Sequence, residues 1–266
     1  VTPFRIEGPA LISFSGGRTS AYMLRRILDE GLQPDVHVAF ANTGKEREET
    51  LCFVRDCADR WKVNVRWLER VSSSDFVEKD FATADRVGAP FAELIEVRRM
   101  LPNPVMRFCT TELKIRVMKN FMLAQGYEEW TNVVGLRADE PARVARIRAP
   151  KPERWENAVP LFDAGITNAD VLAFWKAQPF DLALQPWEGN CDLCFLKGRA
   201  KKERIVRDRP DLAEWWIVRE RELGHTFRAN GPTYEAMLAK AKSQLGMPFL
   251  DGDADVDDLG DCVCNA

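Results

Sequence analysis

Apolar and polar positions change rhythm several times along the chain, and each change marks an element. Leu11 to Phe14 is a short apolar run of strand length. From Thr19 to Glu30 apolar residues recur at helical spacing, at Tyr22, Met23 and Ile27, until Gly31 ends the helix. Val36 to Ala41 reads as a second strand, Glu46 to Trp61 as a second helix and Val63 to Leu68 as a third strand. Strand and helix in alternation imply right-handed crossovers that build a parallel sheet with helices on its faces.

From Val71 to Pro104 the rhythm lapses into mixed sequence, which reads as an insertion or lid. Helical spacing returns at Thr111 to Ala124, followed by a strand at Thr131 to Gly135. An arginine-rich loop and a short apolar stretch, Ala158 to Phe162, come next. A helix that Thr167 or Asn168 can cap then runs to Gln178, before Pro179. Beyond the Cys191–Cys194 pair the pattern is mostly helical, clearest in DLAEWWIVREREL and PTYEAMLAKAKSQL. The expected architecture is an α/β doubly wound parallel sheet in residues 1–190, with a cysteine-containing, mostly helical region in 191–266 packed on it.

Composition adds limits to this picture. Hydrophobic residues make up 45% of 266 positions, enough for one substantial core. The longest apolar runs are far shorter than the ~18 residues that would cross a bilayer, and the N-terminus lacks a basic region followed by an apolar signal segment. The expectation is a soluble cytoplasmic protein with no membrane partner. A net charge of −3 gives no global pull toward a polyanion. Basic residues nevertheless cluster in RVARIRAPKPER and KGRAKKERIVRDR, and both read as solvated faces. The acidic stretch DGDADVDD has Val256 where a calcium loop needs Gly, and so reads as a solvated tail.

Chemistry first shows in LISFSGGRTSAYMLRRIL. Ser13, Ser15, Gly16, Gly17, Thr19 and Ser20 crowd between a strand and a helix. A helix start leaves backbone N–H groups without partners and carries about half a positive charge. Small residues let an anion come close, so the turn suits a phosphate or sulfate. It is neither a Walker A loop nor a G-x-G-x-x-G turn.

Seven cysteines without a secretion signal point to thiols or metal ligands more than to disulfides. Cys52 and Cys57 fit the periodicity of a helix face. Cys109 in RFCTTELK, Cys191 and Cys194 in NCDLC, and Cys262 and Cys264 in DCVCNA keep company that suits ligation. Thiolates serve both zinc and iron-sulfur clusters.

Taken together, SFSGGRTSA, NTGKEREETLCFV, FCTTELKI, VVGLRADEPARV and VPLFDAGITNADVLAFW resemble, in order, segments of the PAPS reductase family of the adenine nucleotide alpha-hydrolase (PP-loop ATP pyrophosphatase) superfamily. The likeness covers roughly Leu11 to Gly198 and implies that superfamily's α/β fold. It implies that Ser13, Ser15, Gly16, Gly17, Thr19 and Ser20 hold the phosphate or sulfate end of a nucleotide, with Asn42, Thr43 and Gly44 beside adenosine. Arg137, together with Arg143 and Arg146, would meet the phosphate or reacting group from the far side, and Lys114 would sit between cluster and nucleotide. Cys109, Cys191 and Cys194 fall where the resemblance expects ligands of a [4Fe-4S] cluster; the fourth iron is either held by Cys262 or Cys264, the reading preferred because a cysteine pair near the end of the chain does not read as core, or left open to carry sulfide or substrate.

The departures are specific. Thr19 stands where members that adenylate with ATP, and bind magnesium, usually carry Asp. Phe108 precedes Cys109 where iron-sulfur reductases have a tandem Cys-Cys, and GDCVCNA lacks the reductases' terminal Glu-Cys-Gly motif. The implied activity is therefore ATP-dependent adenylation and sulfur transfer, with reduction of adenylyl sulfate or PAPS as the alternative enzyme. A non-catalytic iron-sulfur nucleic-acid-binding protein is the alternative of another class. The implied cofactors are the cluster, ATP or a related adenine nucleotide, and magnesium. The implied partners are a sulfur donor or electron donor protein and a nucleic acid substrate.

Overall fold

A computed structural model describes residues 2–72, 75–150, 152–185 and 187–243. Six strands among them form one sheet in the order β4-β3-β2-β1-β5-β6. They are β1 (Ala10–Ser13), β2 (Val36–Asn42), β3 (Val65–Val71), β4 (Asp75–Lys79), β5 (Trp130–Val133) and β6 (Trp155–Ala158). All neighbours run parallel except β3 and β4. The strand order turns at β1: β2 lies on one side and β5 on the other, so the connections after β1 and β5 leave in opposite directions. A crevice opens at such a point, and ligands of doubly wound sheets bind there.

The helices follow from the apolar spacing. Helix α1 (Arg18–Glu30) buries Tyr22, Met23, Leu24 and Ile27, and α2 (Glu48–Trp61) buries Leu51, Phe53, Val54 and Cys57. They pack with Ala10, Ile12 and Phe14 of β1 and its extension on one face of the sheet. Leu11 lies in the cluster on the other face with Val117, Met118, Phe121 and Met122, as strand alternation requires. Those residues belong to α5 (Arg116–Ala124), which follows α4 (Phe108–Thr110) and a π-helical turn, Thr111–Ile115. After β5 come α6 (Pro141–Arg148), β6, α7 (Pro160–Asp163) and α8 (Asn168–Lys176). Thr167 is the cap of α8, in a reciprocal capping box with Asp170. Helix α8 returns to α1, with Phe174 on Tyr22 at 4.7 Å between ring centroids.

The segment expected to be an insertion or lid is part of the body. β4 adds an antiparallel edge, and α3 (Ala89–Arg98) sends Phe91, Leu94 and Ile95 into a second core. Mixed polarity hid this helix because only those apolar residues face inward. The second core is completed by Leu193, Phe195, α9 (Arg199–Asp208), α10 (Ala213–Leu223) and α11 (Tyr234–Ser243), packed around the buried Trp216 and Tyr234. Full burial of each large apolar side chain contributes about 1.5–3 kcal/mol. Of the basic stretch expected to be a solvated face, Lys197 and Lys202 are instead buried. Among the described residues no helix is long and apolar enough to cross a membrane.

Candidate active site

The turn after β1 keeps its donors free. Gly17 is the extended N-cap of α1, and no side chain caps the helix. Among the described residues no backbone or side-chain acceptor takes the N–H groups of Gly16, Gly17, Arg18, Thr19 or Ser20. Gly16 has φ +76°, and a Cβ there would lie 2.7 Å from Thr50 Cγ2, so both conformation and space demand glycine. At Gly17 a Cβ would meet only the Asn190 amide, at 3.2 Å. The Asn190 amide in turn donates to the Ser15 carbonyl at 2.8 Å.

Hydroxyls in this turn divide their work. Ser15 and Ser20 share a hydrogen bond at 2.9 Å, and the Ser20 hydroxyl also reaches the Gly17 carbonyl at 3.0 Å. The Ser13 hydroxyl turns across the sheet to Asn132 Oδ1, at 2.9 Å. Thr19 Oγ1 accepts from Arg137 Nη1 at 3.2 Å, so the arginine of the loop after β5 reaches the helix start. Gly135 permits this approach, because a Cβ there would stand 3.2 Å from Ser20 Cα.

Arg137 is held by Asp139 at 2.9 Å, and its backbone N–H donates to Glu140 at 3.0 Å. Arg143 pairs with the same Glu140. Arg146 lies exposed on α6 and makes no ion pair among the described residues. The structure thus brings Arg137 to the turn, ties Arg143 to it through Glu140, and leaves Arg146 outside.

At the end of β2, Asn42 is fully buried. Its amide donates to Glu69 at 2.6 Å and to the Asp85 carbonyl at 2.9 Å, and its oxygen accepts from the Gly44 N–H. Burial holds the Glu69 carboxyl above the usual carboxylate range, against the opposing pull of N–H bonds from Asp85 and Asn42. Thr43 gives both its N–H and its hydroxyl to Glu46 Oε2, each at 2.8 Å. Glu46 Oε1 takes Lys114 Nζ at 3.2 Å and faces Cys191 Sγ at 3.7 Å. The side chains of Asn42 and Thr43 are therefore committed to scaffolding.

The cysteine pair is carried to this point by the chain itself. Glu46 and Cys191 form an isolated antiparallel bridge, with Arg47 N–H on the Asn190 carbonyl at 2.8 Å and Asp192 N–H on the Lys45 carbonyl at 2.9 Å. Lys45 and Asp192 add a buried ion pair at 2.8 Å, and Trp216 Nε1 donates to the same carboxylate at 2.9 Å. The π-helical turn supplies Lys114, while Cys109 comes from α4. Cys109, Cys191 and Cys194 line one cavity together with Thr43, Lys45 and Lys114. The remaining walls are Thr110 and the apolar Phe91, Leu113, Phe195 and Trp216. Among the described residues no three His, Cys, Asp or Glu groups converge on a single-ion position. Cys262 and Cys264 lie outside the described residues. Cys57 is buried in the main core, where burial pushes its thiol up, and Cys52 lies half-buried on α2 near Glu48. Neither lines the cavity.

Glu46, Asn190 and the Lys45–Asp192 pair escaped sequence reasoning. Glu46 and Lys45 sit inside the quoted NTGKEREET segment and Asn190 and Asp192 flank Cys191, so closeness to motif residues was the available signal.

No model of a known protein family matches the chain. Among curated proteins it is 32% identical over 215 residues to the uncharacterized nin region protein ORF290 of Escherichia phage lambda, spanning 76% of this chain and 71% of that protein. The chain belongs to the family of that phage protein. An uncharacterized protein of Methanocaldococcus jannaschii is 25% identical over 224 residues, which span 81% of the present member but only 42% of the archaeal chain. Two solved structures are similar at lower identity. PAPS reductase from Candida auris, in a phosphate complex, matches at 14% identity and a TM-score of 0.47, over 68% of this chain and 82% of that one. The U34-tRNA thiolase of Methanococcus maripaludis with its [4Fe-4S] cluster matches at 13% and 0.40, over 92% of this chain and 76% of that one.

Proposed function

We propose that this protein is a PP-loop enzyme that binds ATP or a related adenine nucleotide at the turn after β1 and acts at its α-phosphate. Adenylation of an acceptor, followed by sulfur transfer, is the reading preferred. The observation that carries it is the cavity in which Cys109 and the Cys191–Cys194 pair, from two distant segments, meet Lys114 and Thr43.

In the adenylation step an acceptor oxygen attacks the α-phosphorus, the bond from that phosphorus to the bridging oxygen breaks, and pyrophosphate leaves with the electron pair. The free N–H groups of residues 16–20 are suited to hold phosphate oxygens, and their fixed direction lowers the cost of binding charge. Arg137, beside Thr19, is suited to stabilise charge that builds on the phosphates as the bond breaks. Attack of hydrosulfide, delivered by a sulfide donor, on the adenylated carbon forms the carbon–sulfur bond and completes the exchange as the carbon–oxygen bond breaks and AMP leaves with the electron pair. Lys114, held in place by Glu46, is suited to lie between the two regions.

The thiol cavity fits a [4Fe-4S] cluster: soft ligands, mostly apolar walls and two lysines that offset its negative charge. Zinc is the competing occupant, because thiolates also satisfy its tetrahedral preference. Cys109, Cys191 and Cys194 would hold the cluster, with Cys262 or Cys264 as the proposed fourth ligand. When bound, it would supply iron able to carry sulfur or electrons. Domain division near residue 190, with the helical region packed on the sheet domain, belongs to the same proposal.

Anaerobic incubation with ATP and with adenylyl sulfate or PAPS tests the reading. Pyrophosphate release supports adenylation. Sulfite release instead moves the activity to sulfate reduction, and salt-sensitive nucleic acid binding without turnover of any nucleotide overturns the enzyme.

A further inference from the structure

A second cavity, of about 100 Å³, opens on the sheet face that carries α5 and α6. Its floor is built in layers by cross-strand pairs of β5 and β6. Trp130 stands opposite Trp155, and Asn132 opposite Asn157. The two indoles are stacked, with ring centroids 5.3 Å apart and planes within 26°. Above them Asn132 Nδ2 donates to Asn157 Oδ1 at 2.8 Å, while Asn157 Nδ2 donates to the Ile147 carbonyl at 3.2 Å. Each amide nitrogen carries two hydrogens, so each has a second donor beyond these bonds. Met118 and Ile147 wall the crevice, Lys114 lines its upper end, and Lys119 lies 5.7 Å over the Trp155 ring.

A sheet face meant only for packing would repeat apolar residues across its strands. Here the repeat is a flat aromatic pair followed by a pair of amides. The aromatic surface favours a planar π-system, and the amides favour one whose edge presents hydrogen-bonding groups. Lys119 and Glu153, an ion pair at 3.7 Å, both line the crevice, so its charged groups can meet a polar ligand with either sign. We infer that this crevice binds a purine or pyrimidine base, whose ring stacks on Trp155 and whose polar edge meets Asn132 and Asn157. The crevice adjoins the turn after β1: Ser13 lines it, with its hydroxyl on Asn132 and its chain continuing into the turn. Base binding here does not depend on turnover at the nucleotide turn.

The base can arrive on a free nucleoside or on a nucleic acid strand, and two arms distinguish these sources. In the first, cytidine, uridine, adenosine and guanosine are titrated into the full-length protein and followed by saturation-transfer NMR, which reads weak binding. At least one should bind saturably. Trp155→Ala should weaken it about tenfold or more, the scale of one base–aromatic stack, while Trp155→Phe retains most of the affinity and reports on folding. Asn157→Leu should change the order of preference among the four bases, and Gly17→Val should leave the crevice binding unchanged. In the second arm a single-stranded 12-mer of the preferred base replaces the nucleoside. Salt-sensitive affinity at least tenfold above that of the nucleoside identifies a strand as the source, and equal affinity identifies the free base. Absence of saturable binding in both arms, or binding that is identical in wild type and Trp155→Ala, overturns the inference.

Discussion

Lys114 Nζ lies 3.2 Å from Glu46 Oε1, and the other oxygen of that carboxylate accepts both the N–H and the hydroxyl of Thr43. The pair is buried, and it ties the residues after β2 to the π-helical turn on one side of the thiol cavity. Removing one partner leaves the other charge buried without compensation. Lys114→Met is expected to cost about 3–5 kcal/mol in chemical denaturation. Adding Glu46→Gln should return a large part of that loss, and simple additivity of the two changes would show that the pair is not coupled.

The two glycines of the turn should separate binding from folding. Gly17→Val places new atoms where the anion is proposed to sit, against only a side-chain amide, so nucleotide affinity should fall at least tenfold with little change in Tm. Gly16→Val forces a β-branched residue into φ +76° and against Thr50 and Val54, and should lower Tm sharply. Equal Tm values for the two variants would contradict the geometry of the turn.

Arg137 donates to Thr19 while Asp139 and Glu140 fix its direction. Lysine preserves charge but not the planar fork. Arg137→Lys should cut kcat/KM for nucleotide turnover by about tenfold to a hundredfold, the loss of one charge-assisted contact, at unchanged Tm. A variant that melts earlier yet turns over normally makes the residue structural.

Single Cys→Ser changes at positions 109, 191 and 194 should each lower iron and acid-labile sulfide in anaerobically purified protein, whereas Cys52→Ser should not. Wild type should carry about four irons per chain. One zinc per chain with no sulfide would replace the cluster by a metal-ion site. Truncation before Asp261 tests the proposed fourth ligand, and unchanged cluster content would remove the tail from the set.

Glu69 gives a pH signature. Burial raises its folded pKa above the unfolded value of about 4.3, so the folded state binds the proton more tightly. The resulting stability is present below that unfolded value and lost as pH rises through the folded pKa. Glu69→Gln keeps acceptors for Asn42 and Asp85 and removes the titration. The variant's stability relative to wild type should therefore increase from pH 4 toward neutral, and a difference independent of pH would refute the assignment.

Much of this protein is written locally. The period of Tyr22, Met23 and Ile27, the small residues after β1 and the cap at Thr167 each act within a few residues, so β1, β2, β3 and β5, most helices and the small-residue turn could be read from the chain, whereas the edge strands β4 and β6 could not. Local sequence also identified Cys109, Cys191, Cys194 and Lys114 as candidates, through motifs in separate segments. Helix α3 was missed because its inward face meets a second core assembled from distant helices, and the π-helical turn that aims Lys114 has no periodic signature. Only tertiary structure could decide that Ser13 serves Asn132, that Asn42 and Thr43 are scaffolding, and that Arg146 stays outside. It also gathered the three thiols, through the bridge between Glu46 and Cys191, and set a pair of tryptophans beside a pair of asparagines on β5 and β6. Those outcomes depend on strand register and on pairings between segments far apart in sequence, which residue patterns within one segment do not encode.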